Sequence, residues 1–167
     1  MKFFFADLLI FFKRLYSYFY WNIKGVRITL SCDISIKANI MKGCVFTGPT
    51  IISENASVGS FTYGYGVNIN NASVGAYCSL GPHTKIGLDE HPVDKISTHP
   101  HFYTAIEQDI TIIGDHVWCG ANVIVLSGVT VEEHSILAAG TVCTKNVVSF
   151  SIIGGVPGKI IGKRNIL

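Results

Sequence analysis

Charge is scarce in this chain and neither sign dominates: of 167 residues only 11 are Asp or Glu and 13 are Lys or Arg, for a formal net charge of +2. That balance excludes the basic footprint of a nucleic-acid binder. Because 49% of the residues are hydrophobic, it also excludes a disordered chain. The five cysteines (Cys32, Cys44, Cys78, Cys119 and Cys143) include no CxxC pair and no metal-ligand spacing. A zinc knuckle or disulfide framework is therefore disfavoured, and reduced, buried thiols in a cytosolic protein are expected. No apolar run is long enough to span a bilayer. The opening MKFFFADLLIFF has the basic start and apolar stretch of a secretory signal but not its ending. No small-residue cleavage site follows; Lys13 and Arg14 interrupt, and LYSYFYW continues with bulky aromatics. The length suits one domain with a continuous core.

Residues 1–24 read as an apolar α-helix. On a helical wheel Lys2, Asp7, Lys13, Arg14 and Ser17 gather on one side and leave a wide apolar face. That face needs a cover, which the domain, a neighbouring subunit or a membrane surface could each supply.

From Ile28 onward the sequence has a period of six. An inward aliphatic or Cys is expected at Ile28, Ile34, Ile40, Phe46, Ile52 and Val58, then at Val74, Leu80 and Ile86, and again from Ile113 through Cys119, Val125, Val131, Leu137 and Cys143. Four places after each stands a small or β-branched residue, such as Cys32, Ala38, Thr50, Val117, Ser135 or Thr141. A hexapeptide period belongs to a parallel β-helix, in which three short strands and three turns complete each coil. All five cysteines fall on inward positions and read as core residues. Glycine follows the inward aliphatic at Gly59, Gly75, Gly81, Gly87, Gly114 and Gly120, where a tight turn and close stacking favour a missing side chain. The phase shifts at Gly64–Val67, where a loop leaving the coil is expected.

The same frame sorts the histidines. His83, His116 and His134 take the third place after the inward aliphatic, a solvent-facing turn position. His91, His99 and His101 lie where the period breaks, in an insertion of about twenty residues between Ile86 and Ile113, longer than a compact domain usually keeps without use. The functional site is expected in or beside this loop, about 88–109.

Four segments carry a resemblance. VGSFTYGYG (Val58–Gly66), DEHPVDKISTHPHF, IIGDHVWCGANVIVLSGVTVEEHSILAAGTVCTKNV and GGVPGKIIGKR together resemble the hexapeptide-repeat xenobiotic acetyltransferases that modify chloramphenicol and streptogramins, and their relatives in polysaccharide O-acetylation. The resemblance implies an all-β chain. Its core would be a left-handed parallel β-helix over 25–162, with an N-terminal α-helix, a protruding catalytic loop and a short tail at 163–167. It further implies a homotrimer with acetyl-CoA bound between neighbouring β-helices, and His91 as the catalytic residue.

Histidine suits that role, since an imidazole can take a hydroxyl proton and later protonate a thiolate near neutrality. A backbone N–H on a coil edge would steady the developing oxyanion. Asp89, Glu90 and Asp94 are candidates to orient His91; His99 reads as loop packing or an acceptor-site wall, as does Asp89 in its second guise, and Tyr63 as an acceptor-site aromatic. On the donor side the resemblance points to Trp118, the small residues Ala139, Gly140 and Thr141, the turn at Pro157, and the cations Lys145, Lys159, Lys163 and Arg164. Val156 and Gly158 stand where relatives carry Asn and Ala, which weakens individual contacts at that turn.

The reading that follows is an acetyl-CoA-dependent O-acetyltransferase acting on a sugar hydroxyl of a surface polysaccharide or its precursor. It would work in the cytoplasm, with the apolar helix against a neighbouring subunit or in peripheral contact with the inner face of the membrane, with no metal and no nucleic acid. An antibiotic O-acetyltransferase and an amino-sugar N-acetyltransferase share the chemistry. A zinc hydratase of the carbonic anhydrase kind would use the loop histidines as ligands, and a non-enzymatic assembly β-helix would give the loop no task.

Overall fold

The computed structural model describes residues 2–104 and 108–165; Met1, residues 105–107 of the expected loop and 166–167 of the expected tail lie outside the described residues. Helix α1 (Lys2–Ile23) precedes a solenoid of about seven turns built from strands of two to five residues. The strands form three sheets, the faces of a prism. The first holds eight strands, from Arg27–Ile28 to Lys159–Lys163; the second holds six and the third five. Every pairing is parallel except the last, where Lys159–Lys163 folds back on Ser151–Gly154. Each inward residue stacks on its counterpart one coil away, as Leu80 on Cys119 and Cys119 on Leu137. The core is thus one column of side chains, Ile28 to Ile153, with the cysteines inside it.

The polar residues among the inward positions are satisfied locally. Thr50, Thr62 and Thr84 donate to the carbonyls of Thr47, Gly75 and Gly81 at 2.8–2.9 Å, so a small hydroxyl is tolerated where a larger polar group would be stranded.

Glycine after the inward aliphatic proves to serve stacking rather than turning, except at Gly87, whose φ is 64°. A Cβ at Gly59, Gly114 or Gly120 would lie 2.5 Å from a backbone nitrogen of the next coil. The left-handed backbone falls two places later, at Phe61, Tyr77, His83, His116, Asn122 and His134, with φ between 57° and 61°. At the corner between the third and first faces these residues form a ladder. Phe61, Tyr77, His116, His134 and Phe150 stack face to face at centroid spacings of 4.7–5.3 Å. Mutual shielding of flat rings offsets the strain that a bulky residue meets at positive φ.

Two expectations are corrected. No loop leaves the coil at Gly64–Val67. Gly64 itself fills an inward position, and the next two sides have five residues instead of six, so the inward series runs Gly64, Ile69, Val74. The shortened coil lies directly below the large loop. The helix also packs differently from its wheel. Only part of its polar stripe turns toward the domain, Asp7 and Lys13 staying exposed: Ser17 is buried and donates to the Ile34 carbonyl at 2.6 Å, Arg14 lies 3.8 Å from Asp33, and Trp21 caps the open end of the core. Leu8, Leu9, Ile10, Phe11, Phe12, Tyr16 and Phe19 stay exposed. At the other end the chain is ordered beyond the expected boundary at 162: Lys163 closes the hairpin, and the Arg164 amide donates to the Phe150 carbonyl at 2.7 Å.

Candidate active site

The loop leaves the corner between the second and third faces after strand Lys85–Ile86 and returns at Thr111–Ile113. Its two legs are fixed to the coil below. Asn70 Nδ2 donates to Asp89 Oδ1 at 2.7 Å, and Asn71 Nδ2 donates to the Gln108 carbonyl at 3.0 Å. The legs are also tied to each other. The Glu90 amide donates to Gln108 Oε1 at 3.1 Å, and Gln108 Nε2 returns a bond to the Glu90 carbonyl at 3.2 Å. This reciprocal pair closes the loop at its root, so the residues above it hang from a fixed frame.

His91 stands just above that root. Its Nδ1 lies 2.9 Å from Tyr103 Oη, and the two rings meet edge to face with centroids 6.4 Å apart. Nε2 has no protein partner among the described residues. His91, Asn55, Asn71, Asp89, Tyr103 and Gln108 line an open cleft of about 570 Å³, and nearly every one offers a hydrogen-bonding group.

None of the three carboxylates expected to orient His91 bonds to it. Asp89 lines the cleft but accepts from Asn70; Glu90 braces Gln108 through its main chain. Asp94 accepts from Lys95 at 3.0 Å, and that cation holds its carboxyl below the usual range. Tyr103 takes the place foreseen for them. His99 caps the 3₁₀ turn Pro100–Phe102, its Nδ1 accepting from the His101 amide at 3.1 Å, and so shapes the loop without lining the cleft. Among the described residues no group of three or more His, Cys, Asp and Glu side chains is arranged to hold a metal ion.

The remaining expected residues divide between other parts of the prism. Tyr63 and Trp118 come together on the first face, flanking Ser79, and share an apolar cavity of about 340 Å³ with Tyr65 and Pro82. Ala139 and Gly140 are exposed at the corner between the first and second faces, and a Cβ at Gly140 would meet nothing within 4 Å. Thr141 turns inward there and donates to the Ile153 carbonyl at 3.4 Å. Pro157 stands on the adjoining hairpin turn and Lys159 opens its returning strand, both exposed. Lys145 lies apart from them, at the loop's own corner. Arg164 reaches the aromatic ladder, where its guanidinium donates to the His116 and His134 carbonyls at 3.3 Å. Within one chain, then, neither the Trp118 cavity nor the Ala139–Gly140 edge adjoins His91.

Sequence reasoning missed Tyr103, Gln108 and the Asn70–Asn71 pair. The paired asparagines at the point where the period shortens were the one local signal available.

The family model described as "Bacterial transferase hexapeptide (six repeats)" matches residues 110–145. A chloramphenicol acetyltransferase of Agrobacterium fabrum is 30% identical over 106 residues, which cover 54% of this chain and 51% of that protein. The galactoside O-acetyltransferase of Escherichia coli K12 is 29% identical over 94 residues, covering 56% and 44%. Among solved structures, a perosamine N-acetyltransferase of Caulobacter crescentus, in complex with CoA and GDP-perosamine, superposes with a TM-score of 0.65 at 20% identity over 83% of this chain and 58% of that one. That likeness establishes the fold. The chain spans about half the length of the curated relatives it matches. It is a hexapeptide-repeat β-helix similar to acetyltransferases of this kind.

Proposed function

We propose that this hexapeptide-repeat chain is an acetyl-CoA-dependent O-acetyltransferase whose acceptor is a sugar hydroxyl, with His91 as general base. The observation that carries the reading is His91 at the rim of an open polar cleft, one ring nitrogen engaged by Tyr103 and the other without a protein partner among the described residues. A cleft lined by amides and a carboxylate suits a polyhydroxylated acceptor, because each hydroxyl both donates and accepts. In the reaction the acceptor O–H gives its proton to Nε2 while the acetyl group passes from sulfur to that oxygen. The same proton then goes to the departing thiolate, so His91 ends as it began.

Acetyl-CoA supplies the activated acetyl group. The residues present fit it: Ala139 and Gly140 leave the coil edge open to an extended arm, and Lys159 offers a cation nearby for phosphate. Since that edge and the Tyr63–Trp118 cavity do not adjoin His91 in one chain, the assembly we assign is a homotrimer, in which a neighbouring copy supplies the missing side. Light scattering at working concentration tests it, and a monomer that turns over refutes it. The exposed apolar face of α1 supports work at the cytoplasmic surface of a membrane, where a lipid-linked saccharide would be met; no described helix is long and apolar enough to cross one.

A second reading, O-acetylation of an antibiotic, is supported by the likeness to chloramphenicol acetyltransferase and by the aromatic cavity at Tyr63 and Trp118. Calorimetry with acetyl-CoA on the original protein and on His91→Ala, followed by turnover against sugar and chloramphenicol acceptors, separates these. Both proteins should bind acetyl-CoA, and only the original should acetylate, with a loss of about 10²–10⁴-fold in the variant. Failure of the original protein to bind acetyl-CoA would overturn the proposal.

A further inference from the structure

We infer that Tyr103 is the positioning residue that fixes the tautomer of His91: its phenolic oxygen accepts the Nδ1–H and leaves the basic lone pair on Nε2. The inference rests on His91 acting as the base. A neutral imidazole carries one N–H, and the partner of one nitrogen decides what the other can do. The Nδ1–Oη distance of 2.9 Å is a hydrogen bond in either direction. If the phenol donated to Nδ1, the proton would sit on Nε2, and the nitrogen facing the cleft could accept nothing. If Nδ1–H donates to the phenol, Nε2 is free to take the hydroxyl proton.

The loop is built to deliver this hydroxyl. Ser97 Oγ accepts from the His99 amide at 3.1 Å, and His99 Nδ1 accepts from the His101 amide at the same distance, which starts the turn at Pro100–Phe102. The Phe102 amide closes that turn on the His99 carbonyl at 2.9 Å. Tyr103 follows in extended backbone, φ −150° and ψ 158°, and its side chain returns twelve residues along the chain to His91. The reciprocal pair between Glu90 and Gln108 holds the root fixed beneath. His99 thus serves the base through Tyr103.

A neutral partner has a chemical consequence. Asp89 is engaged by Asn70 and Asp94 by Lys95, and among the described residues no carboxylate bonds to the imidazole. A phenol oxygen stabilises the imidazolium less than a carboxylate does. Such a partner suits a base that takes the hydroxyl proton and must hand it to a thiolate in the second half of the reaction.

The test compares the original protein, Tyr103→Phe and His91→Ala. Phenylalanine keeps the ring and removes only the acceptor. The expected result is unchanged acetyl-CoA binding and KM for acetyl-CoA, kcat lower by about tenfold, and the acid limb of kcat/KM moved to lower pH, because the imidazolium has lost its acceptor. In ¹⁵N-histidine NMR above the titration range, the His91 signal, assigned by its loss in His91→Ala, should report Nδ1–H in the original protein and a shift toward Nε2–H in Tyr103→Phe. An Nε2–H tautomer in the original protein, or a Tyr103→Phe enzyme with unchanged kcat and acid limb, overturns the inference. The tautomer is read without turnover, so it judges Tyr103 even if Tyr103→Phe folds poorly. An active His91→Ala enzyme instead defeats the base reading, which separates the two failures.

Discussion

Gly120→Ala should destabilise the protein although it adds one methyl group at a position with ordinary backbone angles. The new Cβ would lie 2.5 Å from the Ala139 nitrogen, 2.8 Å from its Cα and 3.1 Å from the Ala138 carbonyl carbon. Carbon contacts relax to roughly 3.5 Å or more, so the two coils must part by about 1 Å. They are joined at this point by the Gly120 amide and the Leu137 carbonyl, 2.7 Å apart, and the same displacement would weaken that bond. Overpacking costs about 1–3 kcal/mol and a lost ladder bond about 1 kcal/mol. Alanine lowers the entropy of the unfolded chain and returns about 0.4–1 kcal/mol. The balance is a loss of about 2–3 kcal/mol, or about 5–10 °C in Tm for a chain of this size. Thermal unfolding by circular dichroism, at fixed protein concentration, measures it. Because every close atom belongs to the backbone, Ala139→Gly should not rescue the variant. A Tm unchanged to within about 1 °C, or full rescue by Ala139→Gly, would refute the reasoning.

The thiols should be silent in the folded protein. All five are buried, and burial pushes the Cys78 thiol up to about 11 and raises Cys44, Cys119 and Cys143 as well, so a thiol reagent at pH 8 should titrate none before unfolding and five after it. Gln108→Ala removes the bonds that close the loop root; trypsin should then cut at Lys95 severalfold faster while circular dichroism stays unchanged, and an unaltered cutting rate would show the root is held otherwise. The Glu132 carboxylate accepts from the Ser149 amide and hydroxyl, both at 2.9 Å, and these bonds hold its pKa below the usual range. Its stabilisation is present above the unfolded glutamate pKa of about 4.3 and is lost as pH falls through the lower folded value. Glu132→Ala should therefore be less stable than the original at neutral pH and converge with it in acid; parallel curves at every pH would count against this.

The six-residue period in the sequence determined the solenoid by itself: the inward columns, the place of all five cysteines and the outward turn histidines follow from it. The reason is that each side of the coil meets the same surroundings one coil above and below, so the environment of a residue repeats with its position in the hexapeptide. The break between Ile86 and Ile113 likewise marked the loop, and His91 lies in its cleft. What the tertiary structure alone decided lies where the repeat stops or where distant segments meet. A phase slip at Gly64 looks the same in sequence whether a loop departs or two sides lose a residue, and only the stacked register of Gly64, Ile69 and Val74 distinguishes them. The helical wheel put Ser17 and Arg14 on one side, and Trp21, which caps the core, lies on that side with them. It could not foresee that Ser17 and Arg14 would find partners on the second face of the prism and leave Leu8 to Phe12, Tyr16 and Phe19 exposed. Within the loop no period constrains the side chains, so the pairing of His91 with Tyr103 in place of a carboxylate was fixed by a few hydrogen bonds among Ser97, His99, Glu90 and Gln108. Such bonds join residues by spatial approach and leave no pattern in the order of the chain.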